Sequence, residues 1–104
     1  MGTREAELTI DLTGIRSPRE LHKRLMTALK FPDFYGQNWD AFWDAITGLV
    51  DMPRHLRLSG WHELQRLLPR EAEMLRHSLT RAQAMYPSSA AMVTYDEAQP
   101  SRDL

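Results

Sequence analysis

Residues 34–48 read FYGQNWDAFWDAITG, and this stretch predicts a helix with one apolar side and one acidic side. Asn38 is a suitable N-cap for a helix over 39–47, and Gly48 stands where a C′ glycine ends many helices. At about 100° per residue, one arc of this helix carries the apolar positions Ala41, Phe42, Ala45 and Ile46. The opposite arc carries Asp40, Trp43, Asp44 and Thr47. The apolar arc is therefore expected to pack on a core, and the acidic arc to form a surface.

The acidic arc brings no folding benefit that the local sequence explains. Carboxylates at i and i+4, as at Asp40 and Asp44, weaken a helix by about 0.2–0.5 kcal/mol. Asp is also a poor helix former in the middle of a helix, and Trp43 beside them is expected to be exposed. Two aspartates on a helix are most often a solvated surface, and a single tryptophan is more often packing than a contact. On these residues alone, an ordinary surface and a binding surface both stay open.

No Lys or Arg occurs between Lys30 and Arg54, although the 104-residue chain as a whole has a formal net charge of only −1. This segment, residues 31–53, contains four carboxylates: Asp33, Asp40, Asp44 and Asp51. Such a segment attracts a cationic partner and repels phosphate. The near-neutral net charge also argues against a nonspecific nucleic-acid binder, so no direct contact with nucleic acid is expected.

The segments on either side predict three strands separated by pairs of helices. Strands are expected at 7–13, 55–58 and 90–95, and helices at about 18–30, 39–47, 61–68 and 70–85. Leu8, Ile10 and Leu12 alternate with polar residues as in a strand, and Ser17 is placed to cap the first helix. The mostly apolar run 90–95 is typical of a buried parallel strand. The order β-α-α-β-α-α-β predicts an α/β domain with a three-stranded parallel sheet and about four helices.

Length and composition indicate a single domain over residues 1–95, with 42% apolar and 26% charged residues. Residues 1–5 are expected to be loose, and 96–104 to form a polar, disordered tail. No apolar run approaches the roughly 20 residues that cross a bilayer, and no secretory signal is visible at the start. The lack of cysteine excludes disulfides and a cysteine nucleophile. A cytoplasmic protein without a membrane partner is expected.

No motif of an enzyme or a metal site is present. The chain has no GxSxG, P-loop or GxGxxG motif, and His62-Glu63 is not followed by a second histidine at the HExxH spacing. The four histidines are interpreted as solvated or capping residues, and Arg66, Arg70, Arg76 and Arg81 as an ordinary charged face. Paired carboxylates such as Asp40 and Asp44 also occur in hydrolases, but residues 31–53 offer no His, Lys or Arg to complete such a site. We therefore expect no catalytic residue, no metal and no cofactor.

The run from Phe34 to Gly48 resembles the barstar family, the intracellular inhibitors of the ribonuclease barnase. The family pattern is aromatic-Tyr-Gly-x-Asn-x-Asp-Ala-x-Trp-Asp-x-x-Thr-Gly, which the chain matches without a gap, and weaker similarity covers about 7–95. The resemblance implies a barstar-like fold whose second helix and preceding loop plug a ribonuclease active site. It implies that Asp44 is the dominant acidic contact and Asp40 its partner carboxylate. The surrounding contact positions that it implies are Phe34, Asn38, Trp39, Trp43, Thr47 and Gly48.

The partner that the resemblance implies is a basic ribonuclease or ribonuclease-like toxin, which the protein occludes in competition with RNA. A monomer is expected, with weak self-association through the exposed aromatic residues when no partner is bound. The chain departs from the family at three places. Phe34 replaces a contact tyrosine, Leu49 stands where an aromatic residue often follows Thr-Gly, and Arg81 falls at a further acidic contact position. These departures leave open a protein of the same fold that binds a different basic partner.

Overall fold

A computed structural model describes residues 4–96, which form a three-stranded sheet and four helices. The strands are β1 (Glu7–Asp11), β2 (His55–Ser59) and β3 (Met92–Tyr95). The helices are α1 (Pro18–Leu29), α2 (Trp39–Asp44), α3 (Trp61–Leu67) and α4 (Pro69–Met85). Helix α2 continues directly into a π turn over Ala45–Leu49. The element order and the α/β class predicted from the sequence are confirmed.

The sheet has the strand order β1-β2-β3, and both pairs of neighbouring strands are parallel. Leu8 is opposite Leu56, and Leu56 is opposite Val93. Side chains alternate between buried and more exposed positions, so that Leu56 and Leu58 are buried while Arg57 between them is not. Arg57 instead donates hydrogen bonds to the carboxylates of Glu7 and Asp96 on the outer side of the sheet.

Strand β3 differs from the buried strand predicted over 90–95. It begins at Met92, and the side chain of Met92 is 66% exposed. The prediction of a buried strand from apolar composition is wrong here because β3 lies at the edge of the sheet, and one face of this short sheet is exposed to water.

The core lies between the inner face of the sheet and the helices. Phe42 from α2 is completely buried and packs against Phe31 and Trp39, with ring centroids 5.8 and 5.2 Å away. Among the other fully buried side chains are Leu12, Ile15, Leu21, Leu25, Leu56, Leu58, Leu64 and Leu75. Helix α2 is therefore fixed to the core by its apolar arc, as predicted, which leaves its other side free to form a surface.

Local capping sets where the helices begin. Ser17 Oγ accepts a hydrogen bond from the Glu20 amide at 3.1 Å, which confirms the predicted N-cap of α1. Gly60 precedes α3 with φ +73°, and a Cβ at this position would lie 2.5 Å from Thr13 Cγ2. Glycine is needed there for both its left-handed backbone and its lack of a side chain.

Both ends of the described chain form hydrogen bonds with distant segments. Arg4 donates hydrogen bonds to the carbonyls of Met52, Pro53, Ser88 and Ala90, and the Glu5 carbonyl accepts from Arg54. The loose start over residues 1–5 stays a prediction. Asp96 bonds to Leu58 and Trp61 through its backbone. Residues 1–3 and the remainder of the expected tail, 97–104, lie outside the described residues.

Within 4–96, no helix combines the length and apolarity needed to cross a membrane.

Candidate protein-binding surface

The start of α2 is built by the loop that precedes it. Asn38 Oδ1 accepts a hydrogen bond from the Ala41 amide at 2.8 Å, which confirms Asn38 as the N-cap. The residue before it, Gln37, has a left-handed backbone with φ +57°. In the same loop, Phe34 is 76% exposed. The loop therefore presents a large apolar ring to solvent beside the first turn of the helix.

The two aspartates of α2 are both exposed, as the sequence predicted. Within residues 4–96, neither Asp40 nor Asp44 has a basic side chain within salt-bridge distance. Asp33 and Asp51 are exposed as well. All four carboxylates of the segment 31–53 thus face water, and their oxygens are accessible to a partner.

Trp43 is half-buried, whereas the sequence predicted an exposed ring. The guanidinium carbon of Arg81 lies 4.5 Å from the centroid of the Trp43 ring, and the ring of Tyr86 lies 6.4 Å away. Both residues belong to α4 or its C-terminal cap, and α4 packs against α2. A cation over an indole is stabilising. The interpretation of Arg81 as part of an ordinary charged face is therefore wrong, because Arg81 stacks on Trp43. No local sequence pattern indicates this contact, since Trp43 lies on another helix.

Trp39 connects α2 with α4 and with α1. Its Nε1 donates a hydrogen bond to Glu71 Oε1 at 2.9 Å, and its ring centroid lies 4.4 Å from that of His22. Trp39 is half-buried, so only part of its ring is accessible to a partner. These contacts fix where α2 begins relative to the rest of the domain.

His22 is buried, at 3% exposure, contrary to the interpretation of all four histidines as solvated or capping residues. Its Nδ1 lies 2.6 Å from the hydroxyl of Tyr35, which belongs to the loop before α2. Burial lowers the pKa of His22, and the nearby Glu71 carboxylate opposes this shift. Burial also raises the pKa of Tyr35 above its ordinary value. The pair therefore joins the loop to α1 through a neutral imidazole at neutral pH.

We expect the free energy of unfolding to decrease as the pH falls below about 6.5, the ordinary pKa of histidine. Because the folded-state pKa of His22 is lowered, the unfolded chain binds more protons between the two pKa values, and stability is lost as the pH falls through that window. Urea denaturation between pH 8 and 5 measures the effect. The His22→Gln variant should have a flatter pH profile than the native chain, and an identical slope in both proteins would contradict this assignment.

The predicted end of α2 at Gly48 is wrong, because Gly48 lies inside the π turn. The Val50 amide donates to the Ala45 carbonyl at 3.1 Å, which closes the wider ring of a π-helix. Thr47 Oγ1 donates to the Trp43 carbonyl at 2.7 Å, the acceptor that the Thr47 amide would use in an α-helix. Gly48 is exposed, and a Cβ there would meet nothing within 4 Å. The fold itself therefore does not require a glycine at this position.

The structure groups most of the predicted contact residues into two shallow depressions. One is bordered by Trp39, Asp40 and Trp43 together with the α4 residues Met74, His77, Ser78 and Arg81. The other is bordered by Thr47 and Gly48 together with residues that include Leu49, Asp51 and Arg4. Asp44 lies on the helix between these groups, and Phe34 and Asn38 lie in the preceding loop. We call this surface, made by residues 34–49 and the adjoining side of α4, the acidic surface. Among residues 4–96, no group of three or more His, Asp or Glu side chains is arranged to hold a metal ion.

The fold and the acidic surface define a small α/β domain with an amphipathic helix whose exposed side carries carboxylates. The family described as Barstar (barnase inhibitor) matches residues 5–96, and the chain belongs to this family. A Bacillus subtilis (strain 168) protein named "Putative ribonuclease inhibitor YrdF" is 42% identical over 55 residues. The match covers 53% of this chain and 60% of that protein, so the chain spans somewhat more than half the length of this curated relative.

Proposed function

We propose that the protein inhibits a ribonuclease of the barnase type by covering its active site with the acidic surface. The observation that carries this proposal is the exposure of Asp40 and Asp44 without a basic neighbour in salt-bridge range among residues 4–96. A ribonuclease active site collects cationic side chains around the RNA phosphate, so carboxylates held at its entrance compete with the substrate anion. Membership of the barstar family supports this class of partner.

The shape of the acidic surface supports occlusion. Phe34 is 76% exposed at one end and Leu49 is 52% exposed at the other, with both aspartates between them in sequence. Apolar side chains around central charged contacts exclude water when an interface forms, which strengthens the charged contacts. Gly48 leaves its backbone open on the same surface, so that a partner can approach closely.

The proposal also covers the cofactor requirement, the oligomeric state and the location of the protein. The protein needs no catalytic residue or cofactor of its own, and it makes no direct contact with RNA. It acts as a monomer in the cytoplasm, where it protects cellular RNA in the manner of an immunity protein or antitoxin. The four exposed carboxylates of segment 31–53 steer the basic partner during association.

The test is inhibition of barnase measured with a fluorogenic RNA substrate. We expect rising concentrations of the protein to abolish cleavage at a ratio of one inhibitor per enzyme, and excess RNA to slow the onset of inhibition. Glu73→Ala removes an exposed carboxylate of α4 outside the depression beside Trp43 and should inhibit as well as the native chain. Full barnase activity at a large excess of folded protein would reject a barnase-type target.

A different basic partner is the second candidate, and Arg81 is the observation that favours it. A cation on the acidic surface is repelled by an active site that is cationic throughout, which weakens binding. In that case the protein would leave barnase active while its binding to another basic protein still depended on Asp44.

A further inference from the structure

We propose that Arg81 determines which ribonucleases the protein binds, by taking a carboxylate from the partner at the edge of the acidic surface. This inference rests on the proposed function, and it names one chemical feature of the partner. The partner would carry basic groups opposite Asp40 and Asp44 and an Asp or Glu side chain opposite Arg81.

The position of Arg81 is the first step. Arg81 is exposed on α4, and it borders the same depression as Asp40 and Trp43. Its guanidinium carbon lies 4.5 Å from the centroid of the Trp43 ring. A guanidinium stacked on an aromatic ring loses less freedom on binding than a freely rotating one, so Arg81 is pre-organised for a partner.

The lack of a carboxylate partner for Arg81 is the second step. Within residues 4–96, no carboxylate lies in salt-bridge range of Arg81. Arg57, in contrast, is held between Glu7 and Asp96. A guanidinium that no carboxylate of its own domain occupies is suited to bidentate binding of a partner's carboxylate.

The charge pattern is the third step. The acidic surface places the carboxylate of Asp40 in the same depression as the cation of Arg81, with the exposed His77 one helical turn away on α4. Asp44 follows Asp40 one turn further along α2. A ribonuclease that is cationic over its whole rim would be repelled by Arg81, whereas one with a carboxylate there would gain an ion pair. Repulsion of the wrong partner is as effective a source of specificity as attraction of the right one.

The experiment is a selection from a displayed library of barnase variants whose surface positions around the active-site cleft are each allowed Asp, Asn or Lys. The library is sorted for binding to the native chain and, separately, to Arg81→Glu. At one and the same barnase position, we expect sorting with the native chain to enrich Asp and sorting with Arg81→Glu to enrich Lys. The ratio of Asp to Lys at that position should differ at least tenfold between the two sorted libraries. Arg66→Glu, a charge reversal at an exposed residue of α3, should enrich the same variants as the native chain.

Two results would overturn the inference, and a control separates it from the proposed function. The same residues enriched at every barnase position by both proteins would show that Arg81 does not contact the partner. Arg81→Met, which removes the charge and keeps much of the stem, should relax the Asp preference. If Arg81→Met instead weakens every variant equally, Arg81 acts only by positioning Trp43. If no library member binds in a manner that Asp44→Ala abolishes, the proposed function fails, and this inference fails with it.

Discussion

Asp44→Ala is expected to weaken inhibition of barnase by at least about 2 kcal/mol, or about thirtyfold in the dissociation constant. Two opposite charges at about 4 Å attract by about 4 kcal/mol at an effective dielectric constant near 20, before desolvation is subtracted. Removing one carboxylate also leaves the cation of the enzyme buried without a partner, which adds to the loss. Barnase and barstar are themselves the reference case for charged contacts of this strength, so the size of the effect is transferred through family membership rather than calculated from the geometry.

The kinetics should show the loss mainly as faster dissociation of the complex. Association should slow with added salt in the native chain, because the exposed carboxylates of segment 31–53 attract the enzyme over a distance that ions screen. Glu73→Ala is the matched control, since it removes an exposed carboxylate that lies outside segment 31–53 and borders neither depression. Asp44 is exposed and forms no salt bridge with residues 4–96, so Asp44→Ala should keep its stability within about 0.5 kcal/mol. Unchanged inhibition by Asp44→Ala would contradict the assigned contact.

The parts of the acidic surface that the sequence predicts correctly depend on neighbours within one or two helical turns. The spacing of apolar residues places Phe42 and Ile46 in the core and leaves Asp40 and Asp44 exposed. The N-cap at Asn38 is equally local, because its side chain bonds to an amide three residues ahead. Local rules of this kind need no knowledge of the tertiary structure.

The features that the sequence did not predict are of two kinds. Some are contacts between distant segments, and one arises because a side-chain hydroxyl and a backbone amide compete for the same carbonyl acceptor. Arg81 meets Trp43 only because α4 packs on α2, and His22 meets Tyr35 only because the loop folds over α1. The π turn is the case of competition, because the Thr47 hydroxyl donates to the Trp43 carbonyl that the Thr47 amide would bind in an α-helix. A glycine near the end of an apolar pattern suggested a helix end instead, since that is its commoner use.

Phe42→Ala is expected to lower the free energy of unfolding by about 3–5 kcal/mol, the usual range for removing a buried phenylalanine. The ring is completely buried and touches Phe31 and Trp39, so its loss leaves a cavity beneath the helix that carries Asp40 and Asp44. Small domains are stable by only about 5–15 kcal/mol, so this change removes a large share of the total. Urea denaturation measures it, and Phe42→Leu, which fills most of the cavity, should lose less. A loss below about 1 kcal/mol would contradict the packing of α2 on the core.

The two arcs of α2 should therefore respond to substitution in opposite ways. Asp44→Ala should keep its stability and lose affinity, because the Asp44 carboxylate is exposed and forms no salt bridge within residues 4–96. Phe42→Ala should lose stability and keep most of the affinity of each folded molecule, because the acidic surface is chemically unchanged. Inhibition measured at low temperature, with the folded fraction known from circular dichroism, separates the two effects. If folded Phe42→Ala inhibits as weakly as Asp44→Ala, then the position of α2 on the core, and not its carboxylates alone, limits binding.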